Sequence, residues 1–508
     1  LGLADARLAL NKHAEAAEAF RAYAQRDRQA EQAPRALYSA AVALHRAENY
    51  PASDELCREF MKAYPRGTLA PAVLFLGAEN LFLQKSYDRA ADQYRSFLER
   101  PGVAADMAAR AHFRLAWIHR YSKRYEDALR ELDLVDGAAA GKTIAGEVCY
   151  LKGVCLFERQ KYPEACQSFA AYLQSGDSGR FGDDALLKQA LALSKQGQTR
   201  PALDSFERLI RGYPRSDLLS QAQYQMAECC YTLKEYLKAA EYYAKVADRQ
   251  PPDELSPYAL FGMATCRYDQ GDWAAAAEGF NRLVKAFQNP DLIPPALYRQ
   301  GVSRMKLKQW AEAEQAFAAL LAAGPNHELA RPSRSLIGTC LQEQKKWPEA
   351  ARTFQSVIDD YASGSDQARM FYELGWSWRE AGQEDASLAA FRKLADAFPD
   401  DPLAADALFY LAEARFREPS APEAPSATAA RLEAARQLYG QVVARSKDKR
   451  IGDKARYRIG WCFWLTGKYP EAAAEFDALS REFSGSELAP DAIFQAGLSY
   501  ARAGQPQL

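Results

Sequence analysis

The sequence predicts an all-α, right-handed superhelical solenoid of about 13 antiparallel helix pairs followed by a final single helix. Three observations predict it. Anchor residues recur about every 37 positions in the pattern Ala-x-x-x-aromatic, and an aromatic residue lies four residues after 11 of the 13 anchors. Glycine or alanine lies 12 residues before each anchor when the 11 extra residues before Ala435 are not counted. The anchors are Ala16, Ala52, Ala90, Ala128, Ala165, Ala202, Ala239, Ala276, Ala313, Ala350, Ser387, Ala435 and Ala472.

Each repeat contains two predicted helices, named helix A and helix B, and positions are counted from the anchor, so the small residue is at −12 and the aromatic residue at +4. In the repeat anchored at Ala202, periodicity predicts helix A over 183–196, ended by Gly197 in the left-handed conformation. Helix B is predicted over 200–211, with Pro201 in its first turn, where a missing N–H costs nothing. The small residue lets helix B cross closely, and the +4 aromatic ring fills the space between repeats.

Turns that contain proline separate one helix pair from the next. Pro214 stops helix B, and Ser216 or Asp217 can cap the following helix A. One interval between anchors is 11 residues longer than the usual 37. The extra residues lie in the Pro/Ala/Ser-rich segment 418–428, which we interpret as a loop insertion inside one repeat of a single continuous solenoid over residues 1–508.

The repeat pattern is interrupted at both ends of the sequence. Leu1 falls inside the first helix A, and Leu508 falls one residue before the position of a fourteenth anchor. Solenoids need polar capping repeats at their ends. We therefore expect the chain to be a fragment of a longer protein.

The composition argues against several classes of protein. With 65 Lys and Arg residues against 66 Asp and Glu residues, the net charge is −1, so a nucleic-acid partner, which requires a basic surface, is not expected. No apolar run approaches the roughly 18 residues that span a bilayer, so no transmembrane segment is expected. Aromatic residues make up 12% of the chain, which is not typical of disordered proteins.

These columns resemble the tetratricopeptide repeat family over the whole chain. The Gly/Ala in helix A, the Ala-x-x-x-Phe of helix B and the closing proline match the family pattern, although its early helix A tryptophan is largely missing and the period exceeds the usual length of about 34. Closing segments such as Tyr-Pro-Arg-Ser-Asp at 213–217 and Ala-Phe-Pro-Asp-Asp-Pro at 397–402 are similar to a longer subtype. That subtype occurs in bacterial outer-membrane assembly lipoproteins and in the Tol-Pal coordinator protein.

No motif predicts catalysis, a cofactor or a metal site. The segment 136–143 approaches a phosphate-binding P-loop, but Asp136 replaces the first glycine and the repeat pattern places the segment between two helices instead of after a strand. Five of the nine cysteines share position −10, where serine and alanine also occur, so we interpret them as packed, reduced thiols. His112 and His119 are seven residues apart, with no third ligand evident. We expect no enzymatic activity from this chain.

Three helix A columns, at −15, −11 and −8, carry the candidate partner-binding residues, because in tetratricopeptide repeats these columns tend to face the concave groove. The candidates are Trp117, Arg120, Tyr121, Tyr150, Phe157, Tyr224, Glu228, Tyr231, Tyr268, Tyr372, Trp376, Arg379, Phe409, Glu413, Trp461 and Trp464. We expect the groups around Trp117 and Trp376 to dominate, since Trp, Tyr and Arg are common at binding hot spots. The alternative is that these columns mainly pack between neighbouring A helices.

The resemblance implies a non-enzymatic scaffold that binds protein or peptide partners in its concave groove, in bacterial envelope assembly. No repeat combines Lys at −15 with Asn at −11, the pair with which chaperone-binding members clamp a C-terminal carboxylate. One alternative is the regulatory or docking arm of an enzyme whose catalytic domain lies outside this sequence, and another is a cytosolic adaptor. The subtype favours the periplasm or cell envelope, whereas reduced cysteines favour the cytoplasm.

Overall fold

The computed structural model describes residues 1–175, 179–360, 366–418, 425–445, 449–505 and 507. Within these ranges all regular secondary structure is helical, and no β-strand occurs. The helices form two compact units, an N-terminal unit of Leu1–Leu255 and a C-terminal unit of Ser256–Leu508. No helix in the described ranges is both long enough and apolar enough to cross a membrane.

The N-terminal unit contains 14 helices in its described residues, arranged as consecutive A–B pairs in which each helix packs against the next. They are α1 (Gly2–Ala9), α2 (His13–Arg26), α3 (Ala33–Arg46), α4 (Tyr50–Ala63), α5 (Ala70–Leu83), α6 (Tyr87–Leu98), α7 (Ala105–Tyr121), α8 (Tyr125–Asp133), α9 (Gly137–Glu158), α10 (Tyr162–Gln174), α11 (Gly182–Lys195), α12 (Thr199–Gly212), α13 (Leu219–Thr232) and α14 (Tyr236–Ala247). Gly141 interrupts α9 with φ 82° and ψ 162°.

The C-terminal unit contains 13 helices in its described residues, again as A–B pairs, with α27 left as a single helix. They are α15 (Ser256–Asp269), α16 (Trp273–Ala286), α17 (Ile293–Lys306), α18 (Trp310–Ala323), α19 (Ala330–Glu343), α20 (Trp347–Asp360), α21 (Gln367–Glu380), α22 (Glu384–Ala397), α23 (Pro402–Arg417), α24 (Pro425–Arg445), α25 (Lys449–Leu465), α26 (Tyr469–Glu482) and α27 (Ala489–Arg502).

The predicted all-α repeat of about 13 helix pairs and a final single helix is confirmed. In the repeat anchored at Ala202, α11 and α12 begin and end within one residue of the predicted bounds. The turn between helices A and B contains one left-handed residue at −5, and Gly197 occupies it with φ 74°. Several repeats place a lysine there instead, such as Lys345 with φ 59°, so the turn does not require glycine.

The core of each repeat lies where helix A crosses helix B. A Cβ atom added to Gly338, at −12, would lie 2.6 Å from Cε1 and Cζ of Phe354, at +4, which is far inside a normal carbon–carbon contact. Phe354 has no exposed surface. Four further −12 glycines face a +4 phenylalanine in the same way: Gly153, Gly301, Gly375 and Gly460. The predicted role of the −12 column, which is to let helix B cross closely, is thereby confirmed, and the +4 ring packs at this crossing within its own repeat.

The structure corrects the anchor of the second repeat. The helix α4 begins three residues before Ser53, as every other B helix except α24 begins three residues before its anchor, and Glu48 is the left-handed residue at −5. The anchor is therefore Ser53 instead of Ala52, and the spacing becomes regular on both sides. A serine fits this buried position because its hydroxyl donates to the carbonyl oxygen of Ala41 at 2.7 Å.

The predicted loop insertion over 418–428 falls largely on residues 419–424, which lie outside the described residues. Glu418 follows the last residue of α23, and α24 begins at Pro425. Residues 425–428 are therefore the first turn of a 21-residue helix and not part of a loop. Proline is favourable at a first helical position, and the alanines that follow it have high helix propensity.

Candidate functional site

Candidates in the −15 column pack on the +4 ring of their own repeat. The pairs, with the distance between ring centroids, are Tyr224–Tyr243 (5.6 Å), Tyr372–Phe391 (6.1 Å) and Phe409–Tyr439 (5.7 Å). The three −15 rings are half-buried. Their inner faces thus contribute to the crossing of helices A and B within one repeat, and only their outer edges remain open to solvent.

Aromatic candidates in the −8 column pack on the aromatic residue at −3, which begins helix B. The pairs, with their centroid distances, are Phe157–Tyr162 (5.7 Å), Tyr231–Tyr236 (5.4 Å), Tyr268–Trp273 (5.1 Å) and Trp464–Tyr469 (5.0 Å). The rings at −8 are half-buried. These contacts hold the turn between the two helices, so the column has a structural role that the sequence analysis did not assign to it.

The two carboxylate candidates at −11 are occupied by internal hydrogen bonds. The Tyr243 hydroxyl donates to Glu228. Glu413 is only 8% exposed and accepts hydrogen bonds from the Tyr439 hydroxyl at 2.7 Å and from Arg458 at 2.6 Å. Burial opposes ionisation of Glu413, but these hydrogen bonds outweigh it and leave the pKa of Glu413 below its ordinary value. The carboxylate of Glu413 is therefore engaged within the fold, and its contact with a partner stays a prediction.

A third carboxylate, Glu79, has the same arrangement and was not recognised from the sequence. It accepts hydrogen bonds from the Tyr94 hydroxyl and, at 2.8 and 2.9 Å, from Arg114 of the next repeat. The sequence contains a pattern that could have identified this arrangement. The three repeats with glutamate at −11 are also the three with tyrosine, in place of phenylalanine, at +4. Glutamate at −11 and tyrosine at +4 occur together because a buried carboxylate requires hydrogen-bond donors, and the tyrosine hydroxyl supplies one.

Tyr150, predicted to bind a partner as part of the group around Trp117, lies beside Trp117, since both rings contact Phe181, but it is buried. Its side chain is 4% exposed, its hydroxyl donates to Asp184 at 2.6 Å, and its ring stacks on Phe181 with centroids 4.4 Å apart. Burial and the neighbouring Asp184 carboxylate raise the pKa of Tyr150 above its ordinary value. Tyr150 therefore joins successive repeats and has no surface to offer a partner.

The remaining members of that group form the N-terminal aromatic cluster, which consists of Trp117, Arg120, Tyr121 and Tyr87. The Arg120 guanidinium lies 5.1 Å from the Trp117 ring centroid and 5.7 Å from that of Tyr121. Tyr121 is 48% exposed and stacks on Tyr87 of the preceding helix B at 5.0 Å. Tyr87 was not a candidate, because its −3 column was interpreted only as part of the repeat pattern.

The C-terminal aromatic cluster consists of Trp376 and Arg379 on α21 and Tyr410 on α23. The Trp376 and Tyr410 ring centroids are 4.6 Å apart, and the Arg379 guanidinium lies 4.8 Å from the first and 5.0 Å from the second. Trp376 is half-buried and Arg379 is exposed, so the cluster is open to solvent. The sequence analysis chose Phe409 here, but its neighbour Tyr410, at −14, is the residue that reaches Trp376 of the preceding repeat.

An open cavity of about 1010 Å³ adjoins the C-terminal aromatic cluster. Its aromatic lining comes from Phe391, Phe409 and Tyr410, and Arg379 and Glu413 also line it. Further charged residues of both signs line the cavity: Glu384, Asp385, Arg392, Lys393, Asp396, Arg415, Arg417 and Glu418. A cavity of this size, with aromatic and charged walls, is large enough for one or two side chains of a partner.

The last two candidates, Trp461 and Trp464 on α25, take part in packing near the end of the chain. Their ring centroids are 6.3 Å apart, and Trp461 also lies 6.1 Å from Phe476 at +4. Both are half-buried against the apolar cluster that includes α27. No arginine lies over either ring among the described residues, which distinguishes this pair from the two aromatic clusters.

Potential chemical groups elsewhere have structural roles. No three His, Cys, Asp or Glu residues within the described ranges are grouped to hold a metal ion. His112 is hydrogen-bonded to Glu131 at 2.7 Å. The P-loop-like segment follows the helix α8 and forms the first turns of α9, with Asp136 as its N-cap. None of the nine cysteines forms a disulfide bond in this structure, and burial raises the pKa of Cys57, Cys155, Cys340 and Cys462 to about 12.

Family models for tetratricopeptide repeats match most of the chain. A tetratricopeptide repeat-like domain matches residues 13–192, one tetratricopeptide repeat model matches 261–328, 337–402 and 427–487, and another matches 184–216. No curated protein matches the chain at a significant level.

Solved structures of similar fold have low sequence identity. The C-terminal part of a TPR repeat-containing protein from Cytophaga hutchinsonii is 16% identical, with 53% of this chain and 99% of that chain covered and a TM-score of 0.42. YrrB, described as a TPR protein with an unusual peptide-binding site, is 20% identical, with 40% and 98% covered and a TM-score of 0.32. The Naa15/Naa10 complex bound to HypK is 14% identical, with 86% and 67% covered and a TM-score of 0.39.

Proposed function

We propose that this chain, which belongs to the tetratricopeptide repeat family, is a non-enzymatic scaffold that binds protein or peptide partners on the face formed by its A helices. Tetratricopeptide repeat proteins generally serve as protein-interaction scaffolds. The observation that carries the proposal is the C-terminal aromatic cluster, where Trp376, Arg379 and Tyr410 come together from two A helices and remain open to solvent.

The cluster has the physical character of a binding hot spot. Trp and Tyr offer a large apolar surface with few rotatable bonds, and Arg adds hydrogen-bond donors in a fixed plane. Most other candidates already have internal partners, as Tyr231 has in Tyr236 and Glu413 has in Arg458. The two aromatic clusters are thus the parts of the A-helix face with most unused binding capacity, and an extended or helical peptide is the class of ligand that suits them.

The cellular setting that we propose is bacterial envelope assembly, supported by the similarity of the closing turns to that subtype. The predicted reduced state of the nine cysteines favours a cytosolic adaptor as the second candidate setting. Fractionation of cells that express the native gene separates the two settings, since the first requires the protein in the periplasmic or membrane fraction. Recovery only from the cytosol would contradict the envelope proposal.

The binding proposal is tested by pull-down from a native extract with wild-type chain and the variants Trp376→Ala and Arg379→Ala. Glu207→Ala is the control, because Glu207 lies on the helix B α12, where it pairs with Arg211. We expect the partner to be retained by the wild type and by the control and to be depleted by at least about tenfold with Trp376→Ala, as for loss of a hot-spot residue. Equal recovery by all four proteins would contradict the proposed face.

A further inference from the structure

The −8 column is mixed: Leu8, Ser194, Met305 and Gln342 occupy it in four repeats, and arginine occupies it in two. Six described repeats carry an aromatic residue or histidine at −8 that packs on the ring at −3: His45–Tyr50, Phe82–Tyr87, Phe157–Tyr162, Tyr231–Tyr236, Tyr268–Trp273 and Trp464–Tyr469. Arg120 and Arg379 replace this ring, one in each compact unit. Both follow a −11 tryptophan by three residues, in the sequence Trp-x-x-Arg.

Each of these arginines lies over the tryptophan and has no ionic partner. The guanidinium is 5.1 Å from the ring centroid for Arg120 and 4.8 Å for Arg379. Within the described residues, no carboxylate forms an ion pair with either of them. Other arginines on A helices do have such partners, as Arg114 has Glu79 and Arg458 has Glu413.

The position of the guanidinium beside the rings leaves it prepared to bind an anion. Its charge has no carboxylate partner among the described residues, and its planar fork of N–H donors can bind both oxygens of a carboxylate. Contact with the Trp376 and Tyr410 rings also limits the rotamers of Arg379 before binding, which lowers the entropy lost in the complex. The same rings supply an apolar surface directly beside the charge.

The charged residues around Arg379 limit how strongly this region can favour an anionic ligand. Glu384, Asp385 and Asp396 line the adjoining cavity together with Arg392 and Lys393. The cavity as a whole is therefore close to neutral and does not select a highly charged ligand. The position directly over the aromatic rings, by contrast, is occupied by a cation alone.

We infer that the A-helix face selects a peptide segment that places a carboxylate next to an aromatic or large aliphatic side chain, with the carboxylate on Arg379 or Arg120 and the apolar side chain on the rings of the same cluster. The inference rests on the proposed peptide-binding function and adds the chemistry of the partner.

The test begins with a library of random 12-residue peptides displayed on phage and selected on the immobilised chain. Enriched peptides are synthesised with a fluorescent label, in a carboxylate form and in a form with each Asp and Glu replaced by its amide. Affinity is then measured by fluorescence anisotropy. We expect enriched sequences to combine Asp or Glu with Phe, Trp, Tyr or Leu, and the amide forms to bind at least about tenfold more weakly.

The protein variants are Arg379→Glu, Arg120→Glu, Arg379→Lys and the matched control Arg352→Glu, which reverses the charge of an exposed arginine on the helix B α20. Each of Arg379→Glu and Arg120→Glu should abolish the preference for the carboxylate form in peptides that bind at its own cluster. Arg379→Lys should retain part of the preference, and the control should leave it unchanged. Circular dichroism spectra of the variants check that each is folded.

The outcomes separate the two proposals. Enrichment of neutral or basic peptides whose binding is lost with Trp376→Ala would overturn the selection for carboxylates and leave the proposed function standing. Enrichment of peptides that bind all variants equally, or no enrichment, would contradict the proposed function itself. A carboxylate preference that survives both Arg379→Glu and Arg120→Glu would place the anion elsewhere and overturn the inference.

Discussion

The substitution Gly338→Ala should destabilise the repeat formed by α19 and α20, although alanine normally stabilises a helix. The new Cβ atom would lie 2.6 Å from Cε1 and Cζ of Phe354, about 1 Å inside the usual carbon–carbon separation of about 3.5–4.0 Å. The ring has little room to retreat, because it is fully buried in the same core as Val357 and Phe371.

The expected magnitude follows from two opposing effects. Overpacking of a core costs about 1–3 kcal/mol, and replacing glycine by alanine inside a helix contributes about 1 kcal/mol of stability. The net loss for Gly338→Ala should be about 1 kcal/mol. Gly440→Ala is the matched control, since Gly440 lies inside the helix α24 and an added Cβ meets no atom within 4 Å. The control should gain about 1 kcal/mol.

Hydrogen exchange measured by mass spectrometry suits this test, because it reports the stability of α19–α20 and of α24 separately. A third variant adds Phe354→Leu to Gly338→Ala, which copies the combination of Ala116 at −12 and Leu132 at +4, both fully buried in their own repeat. In a double-mutant cycle the two changes should couple favourably by about 1 kcal/mol. Stabilisation by Gly338→Ala equal to that of Gly440→Ala would refute the reasoning.

Three further predictions concern charge, thiols and cooperativity. The pKa of Glu413 is lowered in the fold, so its contribution to stability is present above its unfolded pKa of about 4.3 and is lost as the pH falls through the folded value. Glu413→Gln should therefore destabilise the C-terminal unit at pH 7 by about 3 kcal/mol and reduce the loss of its stability as the pH falls into the acid range. Thermal melts that show the same loss of stability at low pH in the variant and in the wild type would contradict this. Burial raises the pKa of Cys340 and Cys462 to about 12, so at pH 8 these thiols should react with a thiol reagent only after denaturation. Titration of the denatured, unreduced protein should give nine thiols. A count of seven or fewer would reveal a disulfide. The unfolding transition in urea should be broader than that of a globular domain, because each repeat contacts mainly its neighbours. A single sharp transition that is insensitive to Gly338→Leu would count against this repeat architecture.

Much of the fold could be predicted from the sequence, because its determinants are local. The distance from Gly338 at −12 to Phe354 at +4 is 16 residues, and both belong to one helix pair whose geometry repeats along the chain. Any single repeat therefore contains the information for its own crossing. The error at Ala52 had a local cause too: the alanine was taken as the anchor, although serine can replace alanine there when a carbonyl accepts its hydroxyl.

The candidate site was only partly predictable. Trp376 and Arg379 are three residues apart on one helix, so their proximity followed from helical periodicity. Helical periodicity did not predict which other candidates already have internal partners, because those partners belong to the next repeat. Glu413 is buried by contacts that include Arg458, 45 residues further on, and Tyr150 is held by Asp184, 34 residues further on.

The sequence by itself thus determined the helices, their pairing and the small and aromatic residues at each crossing, since these depend on spacing within about 16 residues. The tertiary structure decided which side chains of the A helices face one another across neighbouring repeats. It placed Tyr410, and not the adjacent Phe409, against Trp376. The physical reason is that adjacent positions on a helix point about 100° apart, so the rotation of one A helix relative to the next, which no local spacing encodes, selects the residue that makes the contact.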